Sequence, residues 1–240
     1  MDDSFDYIVV GAGSAGCVLA SRLSEERDSS VLVLEAGDHD RHMLIRMPLG
    51  FLQALRKPHF TWGYETEPEP HLEQRRIAIP RGRLLGGSSS INGMIHIRGH
   101  RRDFDDWAQA GCEGWRYDEV LPYFRRSETH WMGDTPYHGA DGPLSVRVTD
   151  TTQLLFEPLK AAAQAAGHKL LDDHDGADSE GFARANMAVD ALGRRHSTAR
   201  AYLIPVMGRP NLQVRTRALV QRVLIENGEK EWGQFLIDHM

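Results

Sequence analysis

Tyr7-Ile8-Val9-Val10-Gly11-Ala12-Gly13-Ser14-Ala15-Gly16 is the stretch that decides the fold. A short apolar run of strand type leads into glycines spaced G-x-G-x-x-G. An amphipathic helical pattern, Ala15 to Leu23, follows, and a second apolar run, Val31-Leu32-Val33-Leu34, ends in Glu35. Three glycines in register carry little weight alone. Set between a strand and a helix, with a carboxylate at the end of the next strand, they predict a dinucleotide-binding unit. Gly11 allows the tight turn, Gly13 lets the main chain approach a pyrophosphate, and Gly16 lets the helix pack on the strand. The helix N-terminus, around Ser14 and Ala15, offers N–H groups and a partial positive charge. Glu35 is placed to accept hydrogen bonds from ribose hydroxyls. Its charge repels a 2′-phosphate, which favours FAD or NAD over NADP.

The 240 residues are enough for one large domain or two small ones, and 41% hydrophobic with 26% charged residues describes a globular chain. A formal charge of −6 argues against a nucleic-acid partner. Cys17 and Cys112 are the only cysteines, and Cys17 falls inside the first helix pattern, so a reducing compartment is expected. The acidic start, Met1 to Asp6, resembles no export signal, and no apolar run approaches the roughly 20 residues needed to span a bilayer. The expected location is cytoplasmic, with peripheral membrane contact compatible.

Between 37 and 80 periodicity fades while Pro48, Pro58, Pro68, Pro70 and Pro80 alternate with Phe51, Phe60, Trp62 and Tyr64, as in a lid or covering loop. Helices are predicted from Arg102 to Ala110 and from Tyr117 to Arg126, the latter capped near Asp118. Leu144, Val146 and Val148 alternate as a strand, and Leu154 to Ala166 reads as a helix closed by Gly167. Ser197 is expected to cap a short helix that stops at Pro205. Strands are expected at Leu212–Val214 and from Ala218 to Ile225.

A second glycine-rich stretch runs from Arg81-Gly82-Arg83 through Gly86-Gly87-Ser88-Ser89-Ser90 to Ile91-Asn92-Gly93-Met94. Adjacent Gly86 and Gly87 strip side chains from a backbone that must pass close to something flat or charged. The apolar residues Ile91, Met94, Ile95 and Ile97 make a flexible linker a poor description. The pair of glycine motifs resembles the glucose–methanol–choline (GMC) oxidoreductases, flavoenzymes that oxidise alcohols. Further matches extend over nearly the whole chain: Leu34-Glu35-Ala36-Gly37, Trp62 to Pro70, Gly114-Trp115, Gly181-Phe182, Arg195, Ser197, Ala201-Tyr202-Leu203 and Arg209-Pro210-Asn211-Leu212.

The resemblance implies FAD, a small-molecule alcohol substrate and an electron acceptor. Gly11 to Gly16 would hold the pyrophosphate, with Glu35 and Ala36 at the adenosine ribose. Arg83, Gly86, Gly87 and Ser88, then Asn92, Gly93, Met94 and Ile95, would line the isoalloxazine and ribityl chain, and Val220 would meet the adenine. Some members tether flavin to a histidine just before the asparagine; here that position is Ile91, so non-covalent FAD is expected. The implied fold is α/β: an incomplete Rossmann-like FAD-binding fold with the start of an α+β substrate domain. The FAD domain would comprise 1–135, with a covering segment at 51–72, and return at 205–240; residues 136–204 would begin the substrate domain.

The family's catalytic histidine follows a second signature that has no match here, and none of the 12 histidines corresponds to it, so no catalytic residue is named. His96, alternating with Ile95 and Ile97, reads as structural. Arg98 to Arg102, followed by Asp103, Asp105 and Asp106, reads as a solvated surface. Asp172 to Glu180 lacks EF-hand spacing and reads as an acidic surface turn, so no metal site is expected. Two rival readings remain, an inactive flavin-binding fragment and an NAD-dependent dehydrogenase; the second glycine stretch disfavours the latter.

Overall fold

A computed structural model of the chain describes residues 4–148, 155–224 and 234–239, the last for backbone only. In chain order the elements are β1 (Tyr7–Val10), α1 (Ser14–Leu23), β2 (Val31–Leu34), α2 (Met43–Arg46), α3 (Phe51–Ala54), β3 (Ile95–His96), α4 (Arg101–Gln109), α5 (Tyr117–Ser127), β4 (Glu128–His130), β5 (Leu144–Val148), α6 (Phe156–Ala165), β6 (Asn186–Met187), β7 (Leu212–Arg215), β8 (Ala218–Leu224) and β9 (Gln234–His239). They fall into two compact units. The first takes the described residues of Met1–Gly93 and Arg195–Met240, the second those of Met94–Arg194. The units divide at 94 and at 195, and residues 94–135 fall in the second unit.

In the first unit β1, β2 and β7 form a parallel sheet in the order β1-β2-β7. Tyr7 pairs with Val31 and Val31 with Leu212, and the register runs unbroken to Val10–Leu34–Arg215. The central strand is buried along its whole length, as Val-Leu-Val-Leu requires of a strand flanked on both sides. α1 packs on this sheet through Gly16, Cys17, Ala20 and Ser21. β8 packs Ala218 and Val220 against Leu32 and Leu34 and pairs antiparallel with β9. Ile225, the last residue of the expected strand, lies outside the described residues, as does Leu154.

Within and just beyond the stretch 37–80, expected to be irregular, residues 60–83 form a bridged ribbon. Its partners are Thr61–Gly82, Glu65–Ala78 and Glu69–Arg75. Residues 67–78 are mostly exposed on both faces, so the sequence carries no alternation to betray the pairing.

The second unit holds the sheet β3-β6-β5-β4. α4 is capped by His100, whose Nδ1 accepts the Arg102 N–H, while Asp103 accepts the His100 N–H. α5 starts at Tyr117, as expected, but its cap lies two residues before Asp118. Arg116 holds the cap position, its N–H bound by Glu119, and Asp118 sits inside the first turn, where its charge still favours the helix. Phe104 packs edge-on against Trp107 and Phe124. Gly167 terminates α6 at φ 82°, as expected. In the first unit, the helix expected after Ser197 is a wide π-type turn over Ala199–Leu203, and Pro205 lies inside the following 3-10 turn rather than ending the first.

Cys17 is buried and Cys112 exposed. Burial pushes the Cys17 thiol up to about 11, and its Sγ donates to the Ala12 carbonyl at 3.2 Å. A thiol reagent at neutral pH is therefore expected to modify one thiol rapidly and the other only on unfolding. Two fast equivalents would show that α1 does not pack as described.

Candidate functional site

The two glycine stretches lie directly against each other. The Gly86 N–H donates to the Ala12 carbonyl at 2.7 Å, and the Leu85 N–H donates to Asp38 at 2.9 Å. A Cβ on Gly87 would stand 2.8 Å from the Gly13 Cα, and one on Gly37 only 1.9 Å from the Arg83 carbonyl oxygen. Gly86 and Gly87 have φ values of 88° and 52°, the left-handed region that favours glycine. One stretch of bare main chain thus seats the other.

Within the first stretch the glycines divide by role. A Cβ on Gly16 would meet the Gly11 carbonyl oxygen at 1.9 Å, so Gly16 sets how closely α1 sits on β1. Gly11 turns the chain at φ 89°. Around Gly11 and Gly13 no atom lies within 4 Å of an added Cβ. That open, bare backbone is the approach a pyrophosphate needs. α1 has no side-chain cap, and its first intrahelical bond runs from Cys17 N–H to Gly13 O. The N–H groups of its first turn have no acceptor within the helix, as at any helix start. The Gly11 and Ala12 N–H groups donate to Leu34 O and to Glu35 Oε2.

Glu35 is buried, and its carboxylate ties the turn together. Oε2 accepts from Ala12 N–H and Oε1 from Gly37 N–H, each at 2.8 Å. Burial raises its pKa, opposed by those two bonds and by the charge of Arg83. Each oxygen keeps a lone pair, so ribose hydroxyls can still donate to it. Ala36 is half-buried beside it. Glu35 N–H reaches Arg215 O and Ala218 N–H reaches Glu35 O, which brings the start of β8, and Val220 on it, next to the end of β2.

Ser88 Oγ accepts from Gly82 N–H at 3.1 Å and closes the second loop. Arg83 lies 5.0 Å over the Trp62 ring, with its Nε buried and unpartnered. Asn92 accepts through Oδ1 from Arg195 Nη1 at 2.9 Å, and Gly93 is half-buried. Ile91 is not on the loop's open side: it is buried with Ile45, Ala54, Phe60 and Leu84. Met94 and Ile95 belong to the second unit, Met94 buried at the strained φ of 61° and Ile95 exposed. Arg195, buried in the first unit, was visible in sequence only as part of the family pattern.

The second unit contains a buried ionic network that sequence reasoning missed. His138 Nδ1 bonds Glu128 Oε1 and His138 Nε2 bonds Asp173 Oδ2, both at 2.9 Å. Arg98 pairs with Glu128 at 2.7 Å, and His96 Nε2 lies 3.1 Å from its other oxygen. Asn186 donates to Asp173 and accepts from Trp131 Nε1. Burial opposes the His138 charge, but the Asp173 and Glu128 bonds outweigh it and raise the pKa to about 9. Burial acts upward on Glu128 and Asp173, yet their partners hold both at about 2. Asp173 and Asp175 are therefore core groups and not a surface turn, and the Arg98 side chain is buried rather than solvated. The reason is long-range pairing: each charge has a partner 30 or more residues away, which a sequence window cannot reveal.

His130, His138 and Asp173 bring one ligand atom each within 4.8 Å of the others. The geometry does not suit an ion. Both His138 nitrogens face carboxylates, so it is an imidazolium with no lone pair to give. Its ring also stacks on His130 at 3.6 Å and 8°, and the in-plane lone pairs of parallel rings do not converge.

The sequence profile of the family described as GMC oxidoreductase matches residues 5–234. The oxygen-dependent choline dehydrogenase of Photobacterium profundum is 46% identical over 229 residues, covering 95% of this chain and 40% of that protein. The mitochondrial choline dehydrogenase of Mus musculus is 46% identical over 243 residues, covering 98% and 41%. Among solved structures, pyridoxine 4-oxidase from Mesorbium loti superposes with a TM-score of 0.89 at 32% identity, covering 98% of this chain and 48% of that one. A variant of formate oxidase from Aspergillus oryzae RIB40, solved for its effect on FAD modification, gives 0.86 at 26%, covering 99% and 42%. The chain spans less than half the length of each of these proteins.

Proposed function

The chain belongs to the GMC oxidoreductase family, and from that premise we propose that it is the FAD-binding part of an enzyme that oxidises a small alcohol. The observation that carries this is the seating of Gly86 and Gly87 on Ala12 and Gly13, which joins two bare loops beside an uncapped helix N-terminus. An NAD enzyme has no use for the second loop. The parallel sheet, the fold of FAD-containing neighbours and the family match support a flavin cofactor.

Bound FAD would accept a hydride from the carbinol carbon. The residues of this chain would do the holding. The N–H groups of Gly13 to Gly16 would bind the pyrophosphate and Glu35, with Ala36, the adenosine ribose. Val220 would lie at the adenine, while Arg83, Gly86 to Ser88 and Asn92 to Ile95 would line the flavin. Ile91 has only hydrocarbon and faces the core, which supports non-covalent binding. We assign 1–135 and 205–240 to FAD binding, with 51–72 as its cover, and 136–204 to the start of the substrate domain. The substrate class is a primary alcohol or a choline-like alcohol, with an electron acceptor to reoxidise the flavin and no nucleic-acid partner. The location we assign is cytoplasmic, as two unpaired thiols suggest. Among the described residues no helix is long and apolar enough to cross a membrane.

The purified chain is expected to take up about one FAD, to release it fully on denaturation, and to leave it unbleached when choline or a primary alcohol is added without oxygen. No residue here matches the family's proton-handling histidine, so hydride transfer would need a further part of the enzyme. Absence of flavin uptake would refute the reading. Bleaching by the chain alone would refute this division of labour, and flavin retained by denatured protein would refute non-covalent binding.

A further inference from the structure

Among the described residues Arg195 is a buried cation with no anion of its own. It is 5% exposed. Its Nε donates to Ile45 O at 2.8 Å, and its Nη1 donates to Ser89 O at 3.1 Å and to Asn92 Oδ1 at 2.9 Å. All three acceptors are neutral, and among the described residues buried Nη2 has no partner. Burial pushes its pKa down to about 10, with no carboxylate opposing the shift. Two other arginines of the same unit do have carboxylate partners: Arg200 is paired with Asp40 and Arg217 with Asp38. A guanidinium taken out of water without a counter-charge is costly, and such a group persists where a bound anion completes it. Two of its three bonds hold Ser89 and Asn92, both in the second glycine loop.

We propose that Arg195 is a positioning residue that fixes this loop and, when FAD is bound, offsets the negative charge arriving with the hydride. The inference rests on the flavin reading above. In the overall step the carbinol carbon gives up a hydride, its hydroxyl proton leaves to a base or to solvent, and a carbonyl product forms. The flavin side thereby gains two electrons, one proton and one unit of negative charge. A fixed cation in a water-poor site stabilises that charge and shifts the equilibrium toward reduction.

The test titrates the FAD-loaded chain with reductant against a reference dye. Arg195→Met is expected to shift the reduced-to-oxidised ratio about tenfold toward oxidised flavin, which is about 30 mV for a two-electron couple. Arg195→Lys, which keeps the charge, is expected to retain most of the original ratio. Sulfite, which adds to flavin to give an anionic adduct, is expected to bind about tenfold more weakly to the Met variant by the same argument. If Arg195→Met does not fold, Arg195→Gln serves, since it keeps donors toward the loop and loses the charge. An unchanged ratio on loss of the charge overturns the inference. Equal shifts in the Lys and Met variants overturn it too, because contacts and not charge would then be responsible. In both cases flavin still binds and the functional reading stands; failure of the unsubstituted chain to take up FAD sinks the functional reading, and this inference with it.

Discussion

Gly13→Ala is expected to leave the flavin-free chain folded and to weaken its FAD binding by well over tenfold, whereas Gly16→Ala is expected to damage the fold itself. The two substitutions add the same methyl group three residues apart. At Gly13 the backbone has φ −74° and ψ −163°, which alanine adopts without strain, and the new Cβ meets nothing within 4 Å. The methyl would stand only where a pyrophosphate is proposed to approach. At Gly16 the Cβ would lie 1.9 Å from the Gly11 carbonyl oxygen and 3.3 Å from Val9 Cγ1. Those are backbone and buried strand atoms that cannot swing aside. Alanine's better helix propensity returns only about 1 kcal/mol. Forcing α1 off β1 costs at least the roughly 1–3 kcal/mol of ordinary overpacking, and more here because backbone must move. For a domain of this size a net loss of about 3 kcal/mol lowers the melting temperature by roughly 6–12 °C. Melting curves without flavin, followed by FAD titration of whichever variant stays folded, separate the two outcomes. Equal FAD affinity of Gly13→Ala and the unsubstituted chain would place the ligand elsewhere.

The contrast between those glycines also shows what a sequence can disclose. The strand–helix–strand unit was legible because each of its constraints is local: apolar runs of strand length, a glycine where the turn needs positive φ, a carboxylate at the end of β2. The second loop was legible as a place where backbone comes close to something. Its immediate neighbour turned out to be the first loop, since Gly87 contacts Gly13 and Gly86 bonds Ala12. That contact spans more than seventy residues and no periodicity encodes it. Ala12 illustrates the limit at the level of one group: its amide looked available to phosphate, yet Glu35 already holds it. The ribbon over 60–83 escaped because its side chains are solvated on both faces. The acidic turn at 172–180 misled for the opposite reason. Charged residues in series read as surface, and only the fold supplies His138, Arg98 and Asn186 to bury them.

That buried network gives the second large effect. His138→Leu is expected to destabilise the second unit by about 3–5 kcal/mol, the usual result of removing one partner from a buried ion pair. Leucine fills most of the space, so the loss is electrostatic more than steric: Glu128 and Asp173 would keep their burial and lose the cation between them, leaving Glu128 with Arg98 and His96 and Asp173 with the Asn186 amide. The pH dependence is more diagnostic than the magnitude. In the unsubstituted chain Glu128 and Asp173 have folded pKa values of about 2, below their ordinary 4.5 and 3.8. Their contribution is present above those ordinary values and is lost as pH falls toward 2. His138 is raised from 6.5 to about 9, so its contribution is complete below 6.5 and is lost as pH rises through 9. Stability from this network should therefore be flat between about pH 5 and 6.5 and fall on both sides. In His138→Leu the alkaline loss through 9 disappears with the imidazole. Asp173 then keeps its burial without its charged partner, which raises its pKa, so acidification from about pH 6.5 toward 5 should stabilise the variant relative to itself, while the unsubstituted chain stays level over that range. Urea unfolding at pH 5, 7 and 9 reads these slopes directly. Parallel pH profiles for the two proteins would mean that His138 is neutral in the fold and that the bridge between Glu128 and Asp173 carries no charge.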